Sequence, residues 1–350
     1  MQSALRKEVI IMTGPQLLNV QELKKLTPNV AFKSIFVVTS LFQKNDKNGK
    51  PYYEISVSDS TGVIDAKIWS DAAWFDRSDS DMEIGAPAKR LPDDDIKKLT
   101  GCTLGVDGKT AEYRGQLQFN FNKLTLLNQD KFPAAQYLPR SPLSIDSMIA
   151  RYEELISSCR PEISSFLKFV FSGNMWKDFR DWPAAVSHHH AYANGLIEHT
   201  LSVADCAKSM AESMVRSGYA VDVDVVIAGA LLHDIVKLDS YKMQSVPEMT
   251  LEGAVIDHVA QGYLKFMGLA EKAALDDKLK LHLAHILLSH HGQREYGSPV
   301  VPATPEAMIV SSADELDFRM FCWHDSVKDL AEDQPISQWH NGTGRRFWNR

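Results

Sequence analysis

The sequence has little cysteine, and for more than half its length it has no histidine. Its four cysteines, Cys102, Cys159, Cys206 and Cys322, stand far apart with no C-x-x-C pair among them. That spacing argues against a disulfide framework and a thiolate zinc site, and it fits a reducing compartment. Long apolar runs are missing as well. The longest, Val225 to Leu232, falls far short of the ~20 residues that cross a bilayer. The opening stretch MQSALRKEVIIMTGPQLL carries Glu8 where a signal peptide needs an unbroken apolar segment, so a cytoplasmic protein with no membrane partner is expected. Nor is there a basic excess: the net charge is −7. Residues 26–130 hold 13 Lys/Arg against 15 Asp/Glu, and residues 131–350 hold 21 against 28. With no global positive field, contact with a polyanion would have to come from local patches or bound metal. What remains is ordinary for a globular protein, with 44% apolar and 24% charged residues. A chain of 350 residues is long enough for two domains.

The front half reads as strands. Val30–Phe42 is rich in β-branched and aromatic residues, and QKNDKNGKP makes the loop after it. Tyr52–Val57 alternates, Asp59 to Gly62 turns, and Val63–Trp69 is a further strand. Beyond an irregular stretch, Leu117, Phe119 and Phe121 alternate strictly with Gln116, Gln118, Asn120 and Asn122. That period of two marks a half-buried strand with a polar outer face. About five short strands within roughly 100 residues match a small barrel of OB-fold size. The pattern predicts an extension over 1–25, the barrel over 26–128, a proline-bearing linker over 129–145, an all-α domain over 146–330 and a tail over 331–350.

All twelve histidines fall between His188 and His340, which points to a metal or acid–base site in the helical half. Val225–Leu232 reads as a buried helix by its all-round apolarity, and His233-Asp234 closes it. An imidazole beside a carboxylate offers a neutral ligand next to a charged one that can bridge two ions. His199 shares the face of Leu196 and Val203, and His258 that of Val255 and Gly262 in a helix predicted over Leu251–Phe266. His290-His291 precede Gly292 at the end of a helix over Asp276–Ser289. Asp314 lies on an apolar stripe with Ala307 and Val310 in a helix over Pro305–Met320. Asp317, one turn further on, reads by default as a salt-bridge partner of an Arg or Lys. So many ionisable groups facing one interior need partners for their charge, and a divalent metal centre supplies them.

The order H…HD…H…HH…D resembles the HD-domain metal-dependent phosphohydrolases. More closely, the segments His189-His190-Ala191-Tyr192, Gly195-Leu196-Ile197-Glu198-His199, Ala228 to Ile235, Ser289 to Gly292 and Tyr296 to Pro299 resemble the YhaM-type 3′→5′ exoribonucleases, which carry an OB-fold before the HD domain. The resemblance implies that His199, His233, Asp234 and Asp314 form the primary metal set. Asp234 would bridge to a second ion held by His258, His290 and His291. It further implies that Lys237 contacts a substrate phosphate and that His189 and His190 line the substrate pocket. Val236 stands where the family has Gly, and its bulk is expected to narrow access to the scissile phosphate. The implied metal is Mn, while histidine-rich ligation also suits Fe, Co or Zn better than Mg.

The function expected is metal-dependent 3′→5′ exonucleolytic hydrolysis of single-stranded RNA by a metal-activated water, with single-stranded DNA left open as a second substrate. Asp234 and Lys237 would sit at the chemistry. Tyr52, Tyr53 and Trp69 would stack bases on the barrel, with Lys50 and Lys67 on backbone phosphates. A phosphohydrolase acting on a nucleotide or cyclic dinucleotide is the alternative, followed by a non-catalytic nucleic-acid-binding protein. A homo-oligomer is left open.

Overall fold

In the computed structural model, the described residues are 17–79, 88–185, 190–243, 247–328, 330–331 and 333–350. The chain divides into two compact units, Met1–Pro139 and Arg140–Arg350.

The first unit opens with α1 (Val20–Lys24) and continues through β1 (Ala31–Asn45), β2 (Pro51–Asp59), β3 (Gly62–Ile68), β4 (Ala73–Asp76), β5 (Lys89–Arg90), α2 (Asp93–Ile96), β6 (Thr103–Tyr113) and β7 (Gln116–Leu126). The strand order is β3-β2-β1-β6-β7, and β3 pairs again with β7 in parallel, at Ala66 with Phe119 and Lys67 with Asn120. That second pairing closes five strands into an OB-like barrel, and β4 adds to β7 outside the ring. Alternation selects what fills it. Phe32 and Phe36 of β1 meet Phe121 of β7 in edge-on and stacked contacts. Ile55, Ile68, Leu104 and Leu124 complete a sealed interior. The turn between β2 and β3 also holds α1, because Asp59 Oδ2 accepts the Val20 N–H at 2.7 Å while its Oδ1 accepts the Thr61 N–H at 2.7 Å. The irregular stretch of the sequence contains β4, β5 and the first part of β6. Strands of two to four residues there give no usable period.

The second unit comprises α3 (Ile145–Ser158), α4 (Pro161–Val170), α5 (Gly173–Asp181), α6 (Gly195–Arg216), α7 (Val223–Leu232), α8 (Lys237–Ser240), β8 (Tyr241–Met243), β9 (Pro247–Met249), α9 (Leu251–Val255), α10 (His258–Lys272), α11 (Asp277–Ser289) and α12 (Pro305–Val327). α7 lies at its centre, buried at every position from Val225 to Leu232. The tight approach of α7 to α11 depends on Gly229, where a Cβ would stand 2.8 Å from Ile286. That approach brings His233, just past the end of α7, beside His290, just past the end of α11.

Two expectations are corrected. The helix predicted over Leu251–Phe266 is two helices, because Ile256 is extended and Asp257 starts α10 anew by accepting the Val259 N–H at 2.8 Å. Val255 therefore shares no face with His258 and is 69% exposed. The helical unit also contains a short hairpin, β8 with β9, where no strand is expected. No helix among the described residues is long and apolar enough to cross a membrane.

Candidate metal centre and barrel surface

Seven side chains from separate parts of the helical unit converge. His199 projects from the first turns of α6, which can begin where it does because residue 195 is glycine; a Cβ there would stand 2.0 Å from the His190 carbonyl oxygen. His199 Nε2 lies 3.2 Å from His233 Nε2 and 3.3 Å from both Asp234 Oδ2 and Asp314 Oδ1. On the other side of Asp234, its Oδ1 lies 3.9 Å from His258 Nε2, which in turn is 3.2 Å from His291 Nε2. The His290 ring sits 4.3 Å from that of His291 and 5.3 Å from that of His233. One carboxylate thus faces two histidine clusters, one oxygen to each.

The atoms behind these rings settle which nitrogen points inward. The Nδ1–H groups of His233 and His290 each donate at 2.7 Å to the carbonyl three residues earlier, on Ala230 and Leu287. His291 Nδ1–H donates at 2.8 Å to the Tyr296 carbonyl, and His199 Nδ1–H donates at 2.7 Å to Asp317 Oδ2. Each of these rings is therefore held with its Nε2 facing the shared space. Lone pairs opposed at 3.2 Å repel unless a proton or cation lies between them. The buried Asp234 Oδ1 and His290 Nε2 have no hydrogen-bond partner, a costly condition in a protein interior. A divalent cation is the species that answers both conditions, and these residues fit one.

The electrostatics agree. Burial disfavours the charged form of His199, yet Asp234, Asp314 and Asp317 together hold its pKa well above the ordinary value. Burial alone would raise Asp234, but Lys237 and His233 hold it well below the carboxylate range. His290 is pushed well down by burial and by its histidine neighbours, which keeps it a neutral donor. Lys237 is itself buried and places Nζ 2.6 Å from Asp234 Oδ2.

Asp317 corrects an expectation. Its partners are not Arg or Lys but His199 and His190, the latter through Nε2 at 3.1 Å. The signal was available, since Asp317 follows Asp314 by three residues and so shares its helix face. His190 is placed behind His199, nearly buried against Phe321, with Nδ1 also 2.8 Å from the Tyr192 hydroxyl. Both its nitrogens are engaged, and one of them supports Asp317. His189 lies outside the described residues. Val236 is corrected too: it is buried beside Gly262 of α10, and it is not among the residues that border the metal pocket.

On the barrel, Tyr52 and Trp69 stack with ring centroids 5.1 Å apart. Lys67 stands 5.7 and 5.6 Å over the two rings. Trp69 is 39% exposed and fixed by its Nε1–H, which donates to Asn120 Oδ1 at 3.0 Å. Tyr113, exposed, extends this surface with Lys67 at 6.0 Å from its ring. Lys50 is exposed at the head of β2. Tyr53 is corrected: alternation turns it inward, where it packs edge-on against Trp74 on the barrel core.

A closed OB-like barrel followed by a helical HD domain is the class that this fold and site define. Residues 196–319 match the family model described as HD domain, a domain that implies divalent-metal binding. The chain is 26% identical over 292 residues to the 3′-5′ exoribonuclease YhaM of Halalkalibacterium halodurans, covering 83% of this chain and 84% of that protein. The second OB-fold domain of replication protein A from Methanococcus maripaludis is 16% identical over 32% of this chain and 94% of its own, with a TM-score of 0.20. The OB domain of Ta0387 from Thermoplasma acidophilum is 15% identical over 37% of this chain and 92% of its own, with a TM-score of 0.21. The barrel assignment rests on strand order and parallel closure, not on these two scores.

Proposed function

We propose that this protein is a metal-dependent 3′→5′ exonuclease of single-stranded RNA, a phosphodiester hydrolase of the HD type. The observation that carries it is the pair of histidine clusters sharing the Asp234 carboxylate, each with its Nε2 atoms turned to a common space. His199, His233, Asp234 and Asp314 would hold one divalent ion, and Asp234 with His258, His290 and His291 a second; Mn²⁺ is the first candidate. Bound there, such ions supply Lewis acidity toward the phosphodiester and lower the pKa of a water for in-line attack on phosphorus.

The protein's own residues supply the rest. Asp317 and the Ala230, Leu287 and Tyr296 carbonyls fix the imidazole orientations before any substrate arrives. Lys237, buried beside Asp234, would offer its ammonium to an oxygen of the scissile phosphate. Tyr52, Trp69 and Lys67 offer a stacking surface with one cation over both rings, suited to hold single strands without reading their sequence. The similarity to an exoribonuclease over most of both chains supports RNA as substrate and the 3′ end as the point of attack. The domains are taken as a barrel over 26–128 and a hydrolase domain over 146–330.

The test is incubation of the protein and its Asp234→Asn form with 5′-end-labelled single-stranded RNA and Mn²⁺. Products shortening stepwise from the 3′ end, absent with the variant, are expected. RNA left intact by the wild-type protein would overturn the nuclease assignment.

A further inference from the structure

The metal pocket, of about 460 Å³, lies within the range of ligand sites. Asp234, Lys237, His290 and Asp314 border it on one side. Gly342, Thr343 and Arg345, from the tail over 331–350, border it as well. These three belong to a hairpin over residues 335–349. The His340 N–H donates to the Arg345 carbonyl at 2.8 Å, and the Ser337 N–H to the Phe347 carbonyl at 2.8 Å. The Asn349 N–H donates to the Pro335 carbonyl at 2.8 Å. The hairpin is tied to α12 by the Trp323 indole N–H, which donates to the Trp348 carbonyl at 3.2 Å. Since α12 also carries Asp314, hairpin and metal ligand share one support.

The pocket's cations differ in what already offsets them. Lys237 is paired with Asp234 at 2.6 Å, and Arg319 is paired with Glu315. Arg345 donates its Nε–H to the neutral Thr343 carbonyl at 3.2 Å and has no carboxylate partner among the described residues. Asp234 and His290 are buried while Arg345 is exposed, so the metal ligands form the floor and Arg345 stands at the mouth. A phosphate reacting at the floor leaves the next phosphate of the strand toward the mouth. A guanidinium is suited to bind it through two parallel N–H groups.

Building on the nuclease reading above, we propose that the 335–349 hairpin is a wall of the active site. In this proposal Arg345 binds the phosphate adjoining the scissile one, which makes it a residue for engaging a strand and not an isolated diester.

The experiment compares wild type, Arg345→Gln and Arg345→Lys on a ten-nucleotide single-stranded RNA and on bis(p-nitrophenyl) phosphate, both with Mn²⁺. For Arg345→Gln, KM for RNA should rise roughly tenfold with kcat within about twofold. The slope of log KM against log salt should flatten by about 0.7, the value of one single-strand phosphate contact. Hydrolysis of bis(p-nitrophenyl) phosphate should be unchanged, and Arg345→Lys should restore the salt slope. If Arg345→Gln matches wild type on RNA, or loses equally on both substrates, the hairpin's role is overturned while the nuclease reading stands. If wild type cleaves the small diester but leaves RNA intact, the nuclease reading itself fails and this inference goes with it.

Discussion

The two units use polar and aromatic side chains in opposite ways. On the barrel, Tyr52, Trp69 and Lys67 lie at the surface, held by one another and by hydrogen bonds from Trp69 to Asn120 and from Tyr52 to Glu54. In the helical unit, His199, His233 and His290 are almost completely buried, and each is held from behind by a carbonyl or carboxylate. A surface that must accept any base tolerates loose positioning. A site that must hold cations in fixed geometry needs every ring set in advance. The barrel should therefore lose function in small graded steps, and the helical unit in large ones.

The sharpest break is Asp234→Asn, which removes the carboxylate shared by both clusters. Activity on labelled RNA should fall well beyond the roughly 10–100-fold that outer partners of metal ligands are worth, and calorimetric titration should show Mn²⁺ binding lost. Substantial residual cleavage would exclude a metal role for Asp234. Next comes Asp317→Ala, which leaves every proposed ligand in place and removes the carboxylate that His199 and His190 share. A loss of about 10–100-fold in Mn²⁺ affinity or activity is expected, and an unchanged titration would show that His199 orients without it. On the barrel, Trp69→Ala should weaken RNA binding by about 1–3 kcal/mol with the metal titration untouched, as read by fluorescence anisotropy. Gly229→Ala tests the contrast through stability. Its methyl group has no space beside Ile286, so the helical unit should lose about 1–3 kcal/mol in urea unfolding while barrel fluorescence keeps its midpoint. The smallest effect concerns thiols. Burial pushes Cys159 up to about 12, so it stays protonated near neutral pH and is a poor nucleophile. Half-buried Cys102 of the barrel should be alkylated by iodoacetamide before Cys159, as peptide mass spectrometry would show.

The same contrast explains what was legible beforehand. Buried histidine is costly without a partner, so its appearance on apolar helix faces at 199, 233 and 290 announced a site from residue type and spacing. Barrel strands with strict alternation, such as that over Gln116–Asn122, were equally plain. Face was harder. Tyr52 and Tyr53 are adjacent, and only the pairing of Tyr53 with Ile68 across β2 and β3 decides which of them turns in. For Asp317 the spacing to Asp314 gives the face, but the partners His190 and His199 lie more than a hundred positions away and are not legible from it. The 335–349 hairpin escaped because bridges as isolated as Ile336 with Trp348 and His340 with Arg345 leave no periodic trace. The break at Asp257 was hidden by an apolar pattern that runs on across two helices.

His233 and His290 both sit just past a helix end, and each gives its Nδ1–H to a carbonyl of the last turn. Carbonyls at a helix end have no partner within the helix, so the turn that frays most readily is also the one that aims the ligand. Cation occupancy and fraying at the ends of α7 and α11 then become a single linked equilibrium. Adding a chelator should speed amide hydrogen exchange at residues 230–234 and 287–291 while the barrel strands keep their protection, so that these two helix ends report on metal loading without any substrate being turned over.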